Sequence, residues 1–182
     1  LGTVKWMQRK GREVPPNALR HASLVAFELL DDDFRDYARM RLRAPSLRNP
    51  RPFLRSLRKK ARARDRMIAR YTKIVKTYRQ VESSIASLYR IARAWDVFAD
   101  DLTSLPCPRG VSREVCEQLQ AKLEERSAPA RESALAGYRA CVERSNELET
   151  FTPFSTRCAK RLEKLAPELA PPLLEKILEP AS

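Results

Sequence analysis

The sequence predicts an all-α protein built from antiparallel helix pairs, and three observations support this class. Long stretches are rich in Ala, Leu, Arg and Glu, which favour helices. No stretch alternates apolar and polar residues with the period of two that marks a strand. The 13 prolines divide the chain into helix-sized segments, because proline is tolerated in a first helical turn and breaks a helix interior. A length of 182 residues suits one helical domain, which we place at residues 17–180.

The first predicted helix follows a lead-in segment, residues 1–16, which ends in the pair Pro15-Pro16. Because the chain starts at Leu1 rather than Met, we expect this lead-in to be the remnant of a preceding part of a longer protein. The first helix is predicted at about residues 17–42, where apolar residues recur at intervals of three and four. Its run of three aspartates, Asp31 to Asp33, marks either a break in this helix or a solvated face.

The second helix, at about residues 52–78, carries two stripes with helical spacing. The apolar stripe is predicted to face the core: Phe53, Leu57, Ala61, Ile68, Tyr71, Val75 and Tyr78. The second, which we name the basic stripe, spans about 27 Å at 1.5 Å per residue. Its members are the candidate partner-binding residues of the chain: Arg55, Arg58, Lys59, Arg62, Arg66, Arg70 and Lys73.

The remaining helices are delimited by proline-containing loops. A third helix is predicted at about residues 82–103, and a loop containing Pro106 and Pro108 follows it. Ser112 is a suitable N-cap for a long fourth helix over about residues 112–148. Pro129 either kinks this helix or divides it into two. A fifth helix at 153–165 and a short sixth helix at 172–178 complete the prediction.

Positive charge is concentrated in one segment of the chain. The formal net charge is +13, and the segment from Arg39 to Arg79 holds 16 basic residues and a single acid, Asp65. This one segment therefore accounts for the net positive charge of the protein. Such a concentration of charge suggests a local face that contacts an anionic partner. The alternative is that the basic stripe is a solvated helix face that keeps the protein soluble.

The residues needed for most enzyme chemistry are missing from the sequence. A single histidine, His21, excludes sites that need two, and four glycines leave no Gly-rich phosphate loop. Neighbouring acids such as Asp100 and Asp101 point in different directions on a helix and make weak cation sites. We therefore predict a protein that is not an enzyme, with no catalytic residue, cofactor or metal. No run of 18 apolar residues exists, so we also predict no membrane span.

Two windows of the sequence share a spacing in which a tyrosine follows a small or apolar residue by four. Their tyrosines, Tyr71 and Tyr138, are 67 residues apart, about twice the 34-residue period of tetratricopeptide repeats. The chain resembles this repeat class at several further positions: Leu88, Ile91, Ala92, Trp95, Ala134 and Cys141. The resemblance implies a right-handed solenoid of helix pairs in which one repeat is lengthened. Arg157 and Arg161 depart from it, because those positions are usually apolar and aromatic.

A more specific resemblance covers about residues 53–166. The loop that runs from Pro108 to Ser112, Pro-Arg-Gly-Val-Ser, lies between two predicted repeat helices. A loop of this kind between two repeat helices is the distinctive feature by which this region resembles the C-terminal part of large tetratricopeptide-repeat proteins of myxobacteria. Some of those proteins are periplasmic parts of the adventurous gliding machinery. The resemblance implies a periplasmic scaffold without chemistry of its own. A cytoplasmic location is the alternative.

The four cysteines allow two pairs. Cys107 and Cys116 lie on either side of the proline loop, whereas Cys141 and Cys158 fall at small, inward positions of two helices expected to be neighbours. In an oxidising compartment this arrangement predicts disulfides Cys107–Cys116 and Cys141–Cys158. In a reducing cell, all four would instead be small buried apolar residues.

Three functions are compatible with these observations. The first is a helical-repeat scaffold that binds an acidic protein or peptide segment through the basic stripe. The second is nucleic-acid binding, which a sequence pI of about 10.1 favours, although no known nucleic-acid-binding motif is present. The third is salt-dependent attachment to an anionic surface without insertion. A basic stripe on a concave face favours a peptide, and one on an open face favours a polyanion or plain solubility.

Overall fold

The computed structural model describes residues 2–46 and 48–169, and all regular structure in these ranges is helical. The all-α class is therefore confirmed for this part of the chain. The predicted sixth helix, residues 172–178, lies outside the described residues. The α-helices are α1 (Gly2–Arg9), α2 (Pro16–Glu28), α3 (Asp31–Arg39), α4 (Arg51–Tyr78), α5 (Val81–Thr103), α6 (Arg113–Glu147) and α7 (Pro153–Leu165). A 3₁₀ turn, Pro167–Leu169, follows α7.

The predicted first helix is two helices, α2 and α3, divided at Leu29 and Leu30. The three aspartates form the first turn of α3, where carboxylates complement the positive end of the helix dipole. Asp31 also pairs with Arg90 of α5, and Asp33 pairs with Arg70 of α4. The aspartates therefore mark a break between two helices, although Asp32 and Asp33 are also exposed to solvent. The lead-in segment contains a helix of its own, α1, which the sequence did not predict.

The starts of α6 and α7 are each stabilised by a side-chain cap. The hydroxyl of Ser112 accepts a hydrogen bond from the backbone N–H of Val115 and so caps α6. At α7, Thr152 and Ser155 form a reciprocal capping box. Pro129 lies inside α6, which is assigned as one continuous helix from 113 to 147, so the proline does not divide it.

Helix α5 occupies the centre of the fold. It packs against α4 on one side and against α6 and α7 on the other, and α2 packs on both α4 and α5. The connection between α4 and α5 is only residues 79–80, so these helices form an antiparallel pair. Arg79 makes this tight turn in the left-handed conformation, with φ of 54°. Three groups of buried apolar side chains fill the spaces between the helices.

Helices α5 and α6 approach each other closely at Gly137. A Cβ atom built on Gly137 would lie 2.9 Å from the Cβ of Ala92, closer than real Cβ atoms approach. Ala92 is fully buried. One residue without a side chain and one with a single methyl group therefore set the spacing of this helix pair.

A buried carboxylate joins α5 to both α6 and α7. Asp96, 2% exposed, accepts a hydrogen bond from the hydroxyl of Tyr138 at 2.8 Å. It also pairs with Arg93 at 2.6 Å and with Arg161 of α7. Arg161 therefore has a structural role, because together with Arg93 it compensates the charge of a buried carboxylate.

Candidate partner-binding surface

The basic stripe lies on the solvent side of α4. The opposite side of this helix is buried and contributes Phe53, Lys60, Ala63, Met67, Tyr71, Ile74 and Tyr78 to the interior. Because the helix turns 100° per residue, the stripe residues three and four apart share the outer face. All seven of them are exposed, from Arg55 to Lys73. The structure thus places all seven predicted partner-binding residues on one face of α4.

The cations of the basic stripe differ in their pairing. Arg70 forms an ion pair with Asp33 of α3. Arg66 borders the same small cavity of about 230 Å³ as Asp33 and Asp36, but forms no ion pair with them. The other stripe residues form no ion pair with any acid of residues 2–46 and 48–169. Most of the positive charge is therefore uncompensated by the described part of the chain.

A groove of about 750 Å³ runs along the N-terminal part of the stripe. The described residues that line it all belong to α4: Arg51, Leu54, Arg55, Arg58, Lys59, Arg62 and Arg66. No other described helix forms a wall, so the groove is an open furrow between side chains. Sequence reasoning missed Arg51 and Leu54. Arg51 could have been found, because it precedes Arg55 by four residues and so continues the stripe.

Two basic residues of α4 lie on its inner side and belong to the core. Lys60 is 1% exposed and donates to the carboxylate of Asp101 and, at 2.6 Å, to the carbonyl oxygen of Met40. Its burial lowers the pKa of the ammonium group from the ordinary value, and hydrogen bonding to Asp101 opposes this effect. Arg64 lies over the ring of Trp95, with its guanidinium carbon 3.8 Å from the centroid. Through these contacts, Lys60 and Arg64 help to pack α4 against α5, and they are not available to a partner.

The structure contains the two predicted disulfides. Cys107 and Cys116 are joined across the proline loop, with their Cα atoms 5.6 Å apart. Cys141 and Cys158 join α6 to α7, with a Cα separation of 6.2 Å. The second pair is fully buried, whereas Cys107 and Cys116 are half-buried. None of the four cysteines belongs to α4, so the disulfides take no part in the basic stripe.

A second concave surface lies between α2, α3, α5 and the start of α7. This cleft of about 670 Å³ has an aromatic floor formed by Phe27, Phe151 and Phe154. Charged residues at its edge are mostly paired, as Asp31 is with Arg90 and Glu82 is with Arg20, at 2.7 Å. No member of the basic stripe lines the cleft. The stripe therefore lies on the open outer face of α4.

The acidic runs Asp31 to Asp33 and Asp100-Asp101 are paired with cations of the protein itself. Asp31, Asp32 and Asp33 each pair with an arginine of α3, α4 or α5, and Asp101 pairs with Lys60. Within residues 2–46 and 48–169, no group of three or more His, Cys, Asp or Glu could hold a metal ion. His21 is exposed on α2. None of the helices in the described ranges has the length and apolar character required to cross a membrane.

The chain was compared with known families, proteins and structures. No protein-family model, no curated protein and no solved structure matches it. The resemblance to tetratricopeptide repeats, and to the gliding proteins in particular, thus stays a prediction that depends on the residues quoted for it.

Proposed function

We propose that this protein is a non-enzymatic helical scaffold that binds an acidic segment of a partner protein through the basic stripe. One observation carries the proposal: the stripe presents a continuous exposed row of cations, and only Arg70 is paired with a described acid. Uncompensated charges of one sign on a rigid helix attract a chain of opposite charge and accelerate its association. Because α4 is fixed by a buried inner side, the row keeps its spacing when a partner binds.

The helix packing supports a repeat scaffold as the context of this surface. Helix α2 contacts α4 and α5, and α5 in turn contacts α6 and α7, so each new pair is added beside the previous one. This nearest-neighbour order is typical of solenoids. We therefore interpret α2 with α4, and α5 with α6, as successive pairs of a tetratricopeptide-like array.

We further propose that the scaffold works outside the cytoplasm, within an envelope complex of the motility type suggested by the sequence resemblance. The two disulfides support this location, because such bonds persist in oxidising compartments and are rare in reducing ones. A cytoplasmic location remains the alternative, and the oxidation state of protein taken from its native host distinguishes the two.

A second candidate function is binding of nucleic acid or another polyanion. The openness of the groove favours it, because its described walls all come from α4 and would admit a wide, regularly charged ligand. By the criterion given above, the open outer position of the stripe also favours a polyanion over a peptide. The described aromatic residues of α4 (Phe53, Tyr71 and Tyr78) are all buried and leave no surface on which bases could stack, which argues against single-stranded nucleic acid and is the reason for preferring an acidic protein segment.

The test compares binding of a labelled polyglutamate peptide and of labelled single- and double-stranded oligonucleotides by fluorescence anisotropy. The site variant carries Arg55→Gln, Arg58→Gln and Arg62→Gln. The matched control carries Arg113→Gln, Arg139→Gln and Arg144→Gln on α6, where each arginine is exposed and paired with a nearby glutamate of the same helix. Both variants lose three positive charges, so the loss of net charge is the same; they differ in where the charge is removed and in whether it was paired with a glutamate.

The proposal predicts that the site variant loses peptide binding and that the control retains most of it. Equal weakening by both variants would mean that net charge alone governs binding, which would contradict a role for the basic stripe. Tighter binding of oligonucleotides than of peptide, lost in the same site variant, would favour the second candidate function.

A further inference from the structure

We infer that the partner segment is an acidic α-helix that lies along the groove between Arg51 and Arg66, with an apolar side chain over Leu54. This inference rests on the proposed function and specifies the form of the partner. Its first support is the division of the stripe into two parts. In the C-terminal part, Arg70 pairs with Asp33 of the same protein, and the neighbouring cavity also contains Asp36. The N-terminal part has no such partner among the described residues.

The second support is the register of the cations that line the groove. Arg51, Arg55, Arg58 and Arg62 follow one another at intervals of four, three and four residues. This is the spacing of the contact line between two helices that pack side by side. A partner helix with glutamates or aspartates at the same intervals presents its charges at matching heights along the whole line.

An extended partner does not match this register. The four arginines span 11 residues of helix, about 16 Å at 1.5 Å per residue. In a strand, side chains on one face recur every two residues, so four of them span about 20 Å at 3.3 Å per residue. The mismatch increases from one charge to the next. A helical partner keeps all four ion pairs in register, so that each exposed pair contributes a small amount to the free energy of binding.

The third support is the apolar residue in the groove. Leu54 is 36% exposed and lies among arginine side chains, although it belongs to the surface rather than to the core. A leucine in this setting offers an apolar contact that a purely electrostatic ligand does not use. The partner helix is therefore amphipathic along this edge, with one apolar residue beside its row of acids.

The experiment uses the intact chain and three labelled peptides of identical composition. In the first peptide, four glutamates follow the four, three, four spacing and a leucine lies beside them. In the second peptide, the four glutamates are contiguous. The third peptide keeps the spacing but has a central alanine exchanged with a terminal proline, which breaks the helix. Affinity is measured by anisotropy, and helix formation on binding by circular dichroism.

We expect the first peptide to gain helix on binding and to bind about tenfold more tightly than the other two, since four exposed pairs contribute together. The triple variant of Arg55, Arg58 and Arg62 to Gln removes this preference. The matched control variant with Arg113→Gln, Arg139→Gln and Arg144→Gln on α6 keeps it. Leu54→Gln weakens the first peptide and leaves the second unchanged. Circular dichroism of each free variant checks that it is folded.

The possible failures are distinguishable. Equal affinity for the three peptides, with dependence on the stripe retained, would overturn the helical partner and leave the proposed function standing. Binding that no stripe variant alters would contradict both. Tighter binding of a duplex oligonucleotide than of the first peptide would also overturn the inference and identify nucleic acid as the ligand.

Discussion

The ammonium group of Lys60 is buried between α4 and α5, where it donates hydrogen bonds to the carboxylate of Asp101 and to the carbonyl oxygen of Met40. Met40 follows the last residue of α3. One lysine therefore neutralises a buried acid and satisfies a free carbonyl group at a helix end. Helix α4, which exposes the basic stripe, thus also contains a buried cation that links it to α5 and to the end of α3.

The first prediction concerns this lysine. Lys60→Met leaves the buried carboxylate of Asp101 with only the exposed Arg41, at 3.4 Å. Removing one member of a buried pair is strongly destabilising, so we expect the free energy of unfolding to fall by about 3 kcal/mol. Denaturant unfolding followed by circular dichroism measures this change. Lys59→Met, one position along and exposed, should change it by less than about 0.5 kcal/mol. Similar losses in the two variants would contradict the assigned role of Lys60.

The second prediction concerns the contact between Gly137 and Ala92. Gly137→Ala improves helix propensity by about 1 kcal/mol, yet the added methyl group would lie 2.9 Å from the Cβ of Ala92. Overpacking of this kind costs about 1–3 kcal/mol, so we expect a net loss of stability. Adding Ala92→Gly removes the opposing methyl group and should recover part of the loss. A Gly137→Ala variant more stable than the parent protein would show that the helices separate without cost.

The third prediction is a loss of stability in alkaline solution. Burial is the main cause that raises the pKa of Tyr37, Tyr71 and Tyr138 above the ordinary tyrosine value, and each hydroxyl donates a hydrogen bond inside the fold. Above about pH 10, the unfolded chain loses these protons while the folded chain keeps them. Stability is therefore fully present below about pH 10 and decreases as the pH rises further.

Denaturant unfolding at a series of alkaline pH values tests this linkage. Tyr138→Phe removes one of the three groups and should reduce the slope of stability against pH above about pH 10. Ionisation of the buried tyrosines, measured by ultraviolet absorbance, should occur together with the loss of the helical circular dichroism signal. Ionisation of all five tyrosines while the helix signal stays intact would exclude the proposed cause.

The fourth prediction separates the two disulfides. Mild reduction of the native protein should open Cys107–Cys116 first, because its sulfur atoms are half-buried whereas Cys141 and Cys158 are fully buried. Alkylation and peptide mass mapping identify the order. Replacing both Cys141 and Cys158 by Ala should lower stability by about 3 kcal/mol, as expected for a closed loop of this length. Simultaneous reduction of both pairs would show that exposure does not control access.

Much of the helical fold could be predicted because its signals are local. Proline in the first turn located the start of α7, and Ser112 located the start of α6. The pair Cys141–Cys158 was predicted from inward positions on helices expected to be neighbours, and Cys107–Cys116 from the position of the two cysteines on either side of the proline loop. The break between α2 and α3 could not be assigned, because it depends on ion pairs of Asp31 and Asp33 with helices distant in sequence.

The core face of α4 shows where periodicity alone is insufficient. The predicted apolar stripe included Leu57 and Ala61, which are only half-buried, and it omitted Ala63, Met67 and Ile74, which are buried. The buried line instead passes through Lys60, a charged residue that no apolar pattern includes. Its partner Asp101 lies 41 residues further along the chain, so only the tertiary structure identifies it. The sequence left open whether the basic stripe lies on a concave or an open face, and its seven residues are all exposed on the outer side of α4.

The stacking of Arg64 on Trp95 gives the molecule an intrinsic optical probe. The chain has two tryptophans: Trp6, in α1, is 49% exposed, whereas Trp95 is partly covered by the guanidinium group of α4. Separation of α4 from α5 would remove that cation from the indole face and admit water. In a Trp6→Phe variant, the fluorescence of Trp95 would report whether α4, which carries the basic stripe, stays packed against α5 when a ligand binds.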